Sequence, residues 1–128
     1  MNFEKLQSLK ILYVEDEEIV QRAIGGMLSD IVSEVVLAND GLEALKMMKE
    51  HKFDLIITDI QMPNLNGAQM AQQIRASGDT TPIIAITAFD NSTPILDKYT
   101  IKDDIGIDKY IQKPADIDDI INVILELV

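Results

Sequence analysis

Short apolar runs recur along this chain, and each is followed directly by a polar residue or a turn. The runs comprise residues 11–14, 35–38, 55–58, 83–86 and 110–112. They are four residues long or fewer and rich in isoleucine, valine and leucine, which is typical of strands buried on both faces. The pattern therefore predicts five short strands of a parallel sheet.

Between these runs, apolar residues recur at the three- and four-residue spacing of amphipathic helices. The first helix should follow Asp16 and bury a stripe made of Ile19, Val20, Ala23, Ile24, Met27 and Leu28. The adjacent Gly25 and Gly26 lower the intrinsic stability of this helix by roughly 1 kcal/mol each relative to alanine. Packing against the sheet must then hold it in place.

Four further helices complete the pattern. Asp40, with Glu43 three residues later, predicts a capping box, and Leu42, Leu45 and Met48 should form the buried stripe behind it. Another helix should run from the turn at residues 64–67 to residues 77–78. A fourth should begin at residues 93–94, with proline at its first helical position, and extend to Gly106. The last should follow Asp116, with Ile117, Ile120, Ile121, Ile124 and Leu125 facing the core.

A strand followed by a helix thus occurs five times, and no linker interrupts the series. Strands that alternate with helices predict an α/β fold, a doubly wound (βα)5 arrangement with helices on both faces of a parallel sheet and right-handed crossovers. We expect one domain over residues 1–128, with residues 1–9 as an N-terminal lead-in.

The polar residues at the ends of the apolar runs carry the candidate chemistry. Glu15 and Asp16 follow the first run, Asp59 the third, Thr87 the fourth and Lys113 the fifth. Parallel strands bring their carboxyl ends to one edge of the sheet, where open α/β proteins place their active sites. Each residue taken alone also suits a helix cap or a strand end, but together they predict one polar site.

That group of side chains suits a divalent cation beside a phosphoryl group. Two carboxylates about 4 Å apart repel by roughly 4 kcal/mol at an effective dielectric constant near 20, so the cluster should hold protons or a cation. Mg²⁺ prefers such oxygen ligands. Lysine and threonine can donate hydrogen bonds to phosphoryl oxygens. Carboxylate attack on phosphorus, giving an aspartyl phosphate, is the covalent chemistry open to the site.

Composition excludes several other classes of function. The chain has 128 residues, a hydrophobic content of 47%, no cysteine and a net charge of −11. A nucleic-acid surface needs clustered Lys and Arg, so the acidic balance argues against one. The first ten residues lack the apolar core of a signal sequence, and no apolar run approaches the roughly 20 residues of a membrane helix. We expect a cytoplasmic protein without a membrane segment.

Four short motifs, taken in order, resemble the receiver domain of two-component response regulators. They are residues 14–17 (Val-Glu-Asp-Glu), residues 59–64 (Asp-Ile-Gln-Met-Pro-Asn) with Gly67, residues 87–88 (Thr-Ala), and Tyr110 ahead of residues 113–114 (Lys-Pro). The resemblance extends from about Lys10 to the C-terminus. It implies the flavodoxin-like strand order 2-1-3-4-5.

The resemblance also implies a metal site and a phosphoacceptor. Asp59 would take a phosphoryl group from a histidine kinase or a phosphotransfer protein. Asp16, Asp59 and the main-chain carbonyl of Gln61 would ligate Mg²⁺ directly, with Glu15 acting through water.

The remaining implied roles concern the phosphoryl group and the switch. Thr87 and Lys113 would bind the phosphoryl oxygens, and Tyr110 would turn inward as Thr87 moves toward the phosphate. The chain departs from the usual pattern in its longer interval from Thr87 to Lys113. Gln61 and Phe89 would flank the path of the water that hydrolyses the phosphate.

A receiver of this kind signals by switching conformation and assists its own phosphorylation and dephosphorylation, so it is not an enzyme with a separate substrate. Its expected partners are the phosphodonor protein and a downstream target or fused output domain. It would be a monomer or a phosphorylation-dependent dimer, acting alone or as part of a longer regulator. A Mg²⁺-dependent phosphotransferase or nuclease of the toprim type, and a flavodoxin-like cofactor binder, are the alternatives.

Overall fold

A computed structural model describes residues 3–87, 106–113 and 115–128 of the chain. Its five helices, numbered here in chain order, are α1 (Phe3–Leu6), α2 (Glu18–Ser29), α3 (Gly41–Glu50), α4 (Gly67–Ala76) and α5 (Ile117–Leu127). Its strands are β1 (Lys10–Val14), β2 (Glu34–Ala38), β3 (Leu55–Asp59), β4 (Ile83–Thr87) and β5 (Lys109–Gln112). Each strand contains one of the predicted apolar runs.

The strands form one parallel sheet in the order β2-β1-β3-β4-β5. The predicted α/β class and the strand order 2-1-3-4-5 are thereby confirmed. The order reverses direction between β1 and β3, and this switch point is where a doubly wound sheet opens a crevice beyond its carboxyl ends. In the register of these strands Val14 lies beside Thr58, so the residues that follow both strands emerge next to each other.

Apolar side chains cover both faces of the sheet. Alternate residues of a strand point to opposite faces, so Ile11 and Tyr13 of β1 lie in one cluster and Leu12 and Val14 in another. The first cluster lies under α2 and α5 and includes Leu28, Ile120 and Ile124. The second lies under α3 and α4 and includes Ala44, Met70 and Ile74. The strand ends are consequently fixed from both sides.

The N-terminal lead-in contributes to this core, which the sequence pattern did not predict. Residues 3–6 form the single-turn helix α1, and Leu6 and Leu9 are buried in the cluster under α2 and α5. A run of nine residues with two isolated leucines has too little periodicity to predict a helix. Its position is set by burial of these two side chains.

The stripe predicted for α2 was wrong in part. Ile19 is 85% exposed, Met27 is 41% exposed and Ala23 is exposed, whereas Leu28 is buried and Ile24 packs against the core. The buried face runs instead through Gln21, Gly25 and Leu28. A Cβ atom at Gly25 would lie 3.0 Å from Leu37 Cδ2, so the missing side chain lets α2 approach β2 closely.

The two glycines of α2 should respond differently to alanine. Nothing lies within 4 Å of a Cβ added at Gly26, whereas one added at Gly25 crowds Leu37. We expect Gly26→Ala to raise the free energy of unfolding by about 0.5–1 kcal/mol, because alanine loses less backbone entropy on folding. Gly25→Ala should gain less or destabilise the domain. Urea denaturation of both variants tests this, and equal effects would contradict the packing of Gly25.

For α3, the prediction of Asp40 as the N-cap was confirmed, whereas the reciprocal bond from Glu43 and the burial of Leu42 were wrong. Asp40 caps the helix by accepting a hydrogen bond of 2.8 Å from the Glu43 N–H. The Glu43 carboxylate, however, accepts from the main-chain and side-chain nitrogens of Asn39, not from Asp40. Leu42 is 55% exposed, because it follows the cap on the outer side of the first turn, while Leu45 and Met48 pack against the core.

The other two predicted helices within the described residues are present. Helix α4 begins with a capping box formed by Asn66 and Gln69, and α5 begins with one formed by Asp116 and Asp119. The five apolar residues predicted for the core face of the last helix all lie in or against the cluster under α2 and α5. No helix among the described residues is long and apolar enough to cross a membrane.

The helix predicted between β4 and β5 lies outside the described residues, as does Phe89. Gly106, predicted as its end, has a φ of +87°, a conformation that favours glycine. The Arg75 side chain donates to the Gly106 carbonyl through both Nε and Nη2, at 3.1 and 2.8 Å, and Nη2 also donates to Asp108. Arg75 of α4 thus fixes the chain where it enters β5.

Candidate functional site

Three carboxylates lie together where β1 and β3 end. Glu15 and Asp16 follow β1, and Asp59 is the last residue of β3. Ligand oxygens of all three lie within 4.8 Å of one another. Glu15 and Asp59 are buried, with exposed fractions of 2% and 5%, whereas Asp16 is exposed. The predicted convergence of Glu15, Asp16 and Asp59 at one edge of the sheet is therefore present in the structure.

Lys113 reaches this cluster from the end of β5. Its Nζ donates to Asp59 Oδ2 at 2.8 Å and lies 4.0 Å from Glu15 Oε1. The Lys113 main-chain N–H donates to the Thr87 carbonyl at 2.7 Å, which extends the pairing of β4 and β5 by one step. Burial lowers the pKa of Lys113, but the hydrogen bond and the charge of Asp59 outweigh it and raise the pKa above its usual value. Lys113 is thus a fixed positive charge beside Asp59.

The charge of Glu15 is compensated only in part. Burial, together with the negative charge of Asp59, raises its pKa to about 7, against the lowering effect of the Glu17 N–H and of Lys113. The Glu17 N–H donates to Glu15 Oε2 at 3.2 Å. Lys113 offsets the charge of Glu15 only partly, because it lies closer to Asp59. The metal-free site therefore holds more negative charge than its own lysine compensates.

The raised pKa of Glu15 predicts how the free energy of unfolding of the metal-free domain changes with pH. The folded protein keeps the Glu15 proton at a higher pH than the unfolded chain, so this group lowers the free energy of unfolding as pH rises through about 7. We expect Glu15→Gln to stabilise the domain at pH 8, on the order of 1–2 kcal/mol, and to have little effect at pH 5. Denaturation in the presence of EDTA measures both values.

Glu50→Gln, at an exposed helix position, is the matched control for loss of a carboxylate. It should leave the free energy of unfolding unchanged at both pH values. A stabilisation by Glu15→Gln that is the same at pH 5 and pH 8 would contradict the raised pKa of Glu15.

Thr87 carries a buried hydroxyl group without a hydrogen-bond partner in the described part of the chain. Thr87 is the last residue of β4 and only 3% exposed. A buried hydroxyl left unpaired costs about 1–3 kcal/mol, so a partner supplied by a ligand would stabilise it. An unpaired donor at this edge of the sheet suits an oxygen of a bound phosphoryl group.

Gln61 and Tyr110 are the remaining predicted site residues. The Gln61 N–H donates to Asp59 Oδ1 at 3.3 Å, which holds the main chain of Gln61 beside the cluster, while the side chain is exposed. Tyr110 lies on β5 beside Ala85 of β4 and is 36% exposed. The Tyr110 side chain is therefore partly open to solvent.

The loop after Asp59 is held against the sheet by close backbone contacts. The Gly67 N–H donates to the Ile60 carbonyl at 2.8 Å, and a Cβ added at Gly67 would lie 2.3 Å from the Asp59 carbonyl oxygen. Asn64 adopts a φ of +69° and donates to Asp40 at the N-terminus of α3. Gly67 is thus required because the loop passes directly over the main chain of Asp59.

Sequence reasoning missed Gln21, which ties the loop of the carboxylates to its neighbours. Its Nε2 lies 3.0 Å from the Glu15 carbonyl, 3.2 Å from the Ala38 carbonyl and 3.1 Å from Asn39 Oδ1. The side chain is buried between α2 and the ends of β1 and β2. The sequence offered one signal, since Gln21 lies about one helical turn before Gly25 and therefore on the same face of α2. Only the packing of α2 shows that this face is buried.

The donor set fits Mg²⁺. The cluster offers three carboxylates, all oxygen ligands, and no histidine or cysteine joins it among the described residues. Oxygen ligands at a partly open site are what Mg²⁺ takes, because it retains several waters. A softer metal that prefers nitrogen or sulfur ligands is not favoured here.

Comparisons with known proteins agree with this geometry. The profile of the response regulator receiver domain family matches residues 11–125. The response regulator MprA of Mycobacterium leprae is 34% identical over 113 residues, which cover 88% of this chain and 48% of that protein. The chain thus spans about half the length of the curated relatives that it matches.

Solved structures show the same architecture. The chemotaxis response regulator CheY4 of Vibrio cholerae superposes with a TM-score of 0.83 at 25% identity, covering 95% of this chain and 100% of that one. The receiver domain of the sensor histidine kinase PA1611 of Pseudomonas aeruginosa has a TM-score of 0.79 at 29% identity, with coverage of 93% and 96%. That structure contains a magnesium ion coordinated in the active-site cleft.

The family match also decides between the alternatives left open by the sequence. A toprim-type catalytic domain and a flavodoxin-like cofactor binder share the α/β architecture, but the matched profile is that of neither. It covers all five strands apart from Lys10 and reaches into the last helix. The chain belongs to the response regulator receiver domain family of two-component signal transduction.

Proposed function

We propose that Asp59 accepts a phosphoryl group from a histidine kinase or a histidine phosphotransfer protein and that the domain signals by the resulting change of conformation. The observation that carries this proposal is the position of Asp59. Its carboxylate is buried beside two further carboxylates and paired with Lys113 at 2.8 Å. An ion pair with only a structural role would be weakened by the negative charges of Glu15 and Asp16 beside it, so the cluster is better explained by a bound cation and a phosphoryl group.

The chemical step forms one bond and breaks another. An Asp59 carboxylate oxygen attacks phosphorus, the bond from phosphorus to the donor imidazole nitrogen breaks, and that nitrogen leaves with the electron pair and takes a proton. The product is an aspartyl phosphate. Since little covalent chemistry is required of the protein, positioning and charge compensation should account for the rate.

Mg²⁺, held by Asp16, Asp59 and the Gln61 carbonyl with Glu15 acting through water, would neutralise phosphoryl charge when bound. The other groups belong to the chain itself. The Lys113 ammonium, now directed at Asp59, can donate to a phosphoryl oxygen attached there, because only a short rotation of a flexible side chain is needed. The unpaired Thr87 hydroxyl can donate to another.

Thr87 and Tyr110 form the proposed switch. Movement of Thr87 toward a phosphoryl oxygen would vacate space at the end of β4, and Tyr110 of the neighbouring strand would turn inward to fill it. Shifting such a two-state equilibrium from 1:99 to 99:1 requires about 5.5 kcal/mol of differential binding. The unsatisfied hydroxyl of Thr87 favours the change, because it gains a charged acceptor only in the phosphorylated state.

We propose that residues 1–128 form one cytoplasmic receiver domain, and that this domain signals to a separate target protein or to a fused output domain. The relatives that it matches are about twice as long, which is consistent with a fused output domain. It would act as a monomer or as a dimer formed on phosphorylation.

Native mass spectrometry tests the proposal. With Mg²⁺ and a small phosphodonor such as phosphoramidate, the wild-type domain should gain one phosphoryl group, and peptide mapping should place it at Asp59. Chelation of Mg²⁺ should suppress the gain, because the carboxylates then repel the incoming phosphoryl group. Stable labelling at another residue would overturn the proposal.

A further inference from the structure

Gln21 is a buried polar residue of α2 that lies next to the carboxylate cluster without belonging to it. Its side chain is only 7% exposed. Tyrosine apart, the four other buried polar side chains in the described part of the chain belong to the site or adjoin it: Glu15, Thr58, Asp59 and Thr87. A buried amide loses its hydrogen bonds to water, so protein groups must replace them. The amide of Gln21 is therefore explained by what it binds.

The amide nitrogen of Gln21 fixes the peptide group that joins Glu15 to Asp16. Its Nε2 lies 3.0 Å from the Glu15 carbonyl oxygen, 3.2 Å from the Ala38 carbonyl oxygen and 3.1 Å from Asn39 Oδ1. Main-chain carbonyls only accept hydrogen bonds, so the nitrogen of the amide must face them. Because a peptide group is planar, holding its carbonyl oxygen also sets the position of the Asp16 Cα atom. Gln21 thus acts on the main chain of two of the three carboxylate residues.

The junction between β2 and α3, which Gln21 contacts, also holds the loop that follows β3. Asp40 Oδ2 accepts a hydrogen bond of 2.8 Å from Asn64 Nδ2. The Gly41 N–H donates to the Leu65 carbonyl at 3.2 Å. The junction therefore contacts both loops that follow the carboxylate-bearing strands, one through the side chain of Gln21 and the other directly. The position of one loop relative to the other is set through this junction.

Such a support is needed because the carboxylates repel one another. Ligand oxygens of Glu15, Asp16 and Asp59 lie within 4.8 Å of one another, and like charges at this distance favour separation. Asp16 is exposed, so an unsupported loop would move it outward and away from Asp59. Mg²⁺ requires nearly octahedral geometry, and a displaced loop would have to be brought back before the ion could bind.

We propose that Gln21 is a positioning residue, which holds Glu15 and Asp16 in place for a cation before the cation binds. It acts through the main chain and does not contact the cation. Residues that orient metal ligands in this way contribute about 10–100-fold to metal affinity. This inference rests on the proposed Mg²⁺ site but not on phosphorylation of Asp59.

Separate titrations of the metal-free, ¹⁵N-labelled domain with Mg²⁺ and with Ca²⁺, followed by amide NMR, test the proposal. Gln21→Met keeps an unbranched side chain of similar length and removes the amide. We expect about tenfold weaker binding of Mg²⁺. Binding of Ca²⁺ should weaken by no more than about threefold, because Ca²⁺ tolerates irregular geometry. A variant that only destabilises the fold would not change the ratio of the two affinities.

Asn39→Ala is a second variant, at an exposed position, and it tests the same hydrogen bonds even if Gln21→Met does not fold. It removes one acceptor of the Gln21 amide and should weaken Mg²⁺ binding about threefold, as expected for one lost hydrogen bond. The double variant should bind Mg²⁺ no more weakly than Gln21→Met alone, because both changes act through the same amide.

Gln72→Met is the matched control for the loss of an amide. Gln72 lies at an exposed position of α4, and its replacement should leave both affinities unchanged.

Two results would overturn this inference and leave the proposed function intact. One is an unchanged Mg²⁺ affinity in Gln21→Met or in Asn39→Ala while the wild-type domain binds Mg²⁺. The other is an equal loss of affinity for Mg²⁺ and Ca²⁺, which would indicate lost stability instead of lost geometry. Failure of the wild-type domain to bind Mg²⁺ would overturn the metal site itself and this inference with it. Every titration uses the unphosphorylated domain, so none depends on whether Asp59 accepts a phosphoryl group.

Discussion

Asp59→Ala is expected to abolish phosphorylation while leaving the domain folded. The substitution removes the nucleophilic oxygen, and no neighbouring carboxylate among the described residues occupies the same position at the end of β3. The substitution also removes one negative charge, which repels Glu15 and pairs with Lys113. Its loss relieves the repulsion and breaks the ion pair, so the two electrostatic effects on stability oppose each other. The free energy of unfolding should therefore change by about 1 kcal/mol or less, at the low end of the range for single substitutions. Native mass spectrometry and urea denaturation measure the two quantities.

Asp54→Ala is the matched control, because Asp54 precedes the first residue of the same strand, at the opposite end from Asp59. Its carboxylate accepts a 2.8 Å hydrogen bond from the Lys10 main chain. This variant should still gain one phosphoryl group, even if its stability falls. Retention of a stable phosphoryl group by Asp59→Ala would show that another residue is the acceptor.

Lys113→Ala should lower the rate of phosphorylation by about 10²–10³-fold, which is the usual effect of removing one preorganised donor from a developing anion. Mg²⁺ binding should be retained or strengthened, because the carboxylates remain and lose a competing positive charge. Isothermal titration with Mg²⁺ and time-resolved labelling with phosphoramidate separate the two effects. Loss of Mg²⁺ binding together with labelling would contradict a role directed at the phosphoryl group.

Lys109→Ala controls for the loss of a lysine from the same part of the chain. Lys109 begins β5 and pairs with Glu126 of α5 at 3.3 Å, with side chains that are 45% and 58% exposed. Such exposed pairs contribute little to stability. We expect unchanged phosphorylation in this variant. A loss comparable to that of Lys113→Ala would indicate a general effect of positive charge on the donor, not a local one.

The sequence was sufficient for the positions of the strands and for the composition of the site. Runs of four residues or fewer, rich in isoleucine and valine and alternating with helical segments, favour strands, and parallel strands bring their ends to one edge. Sequence alone therefore places the residues at those ends, Glu15, Asp59 and Lys113, beside one another. The tertiary structure adds the partners and the distances, of which the 2.8 Å pairing of Lys113 with Asp59 matters most.

The sequence was less informative about which side of a helix faces the core. In α2 the apolar residues Ile19 and Met27 are exposed, whereas Gln21 and Gly25 are buried. A periodic pattern reports hydrophobicity, but the rotation of a helix is set by the close approach that Gly25 allows and by the carbonyl groups that Gln21 can reach. Both depend on how α2 packs against β2 and the end of β1, which the periodicity of α2 itself does not record.

The sequence by itself determined the class of fold, the order of its elements and the set of residues that could hold a cation beside a phosphoryl group. Those properties follow from local pattern and from the geometry common to all parallel sheets. Only the tertiary structure decided which groups are paired and which are left unsatisfied. Glu15 is compensated only in part, and the hydroxyls of Thr87 and Tyr13 are buried without partners in the described residues. The physical reason is that burial and hydrogen bonding depend on contacts between distant segments, which no local pattern records.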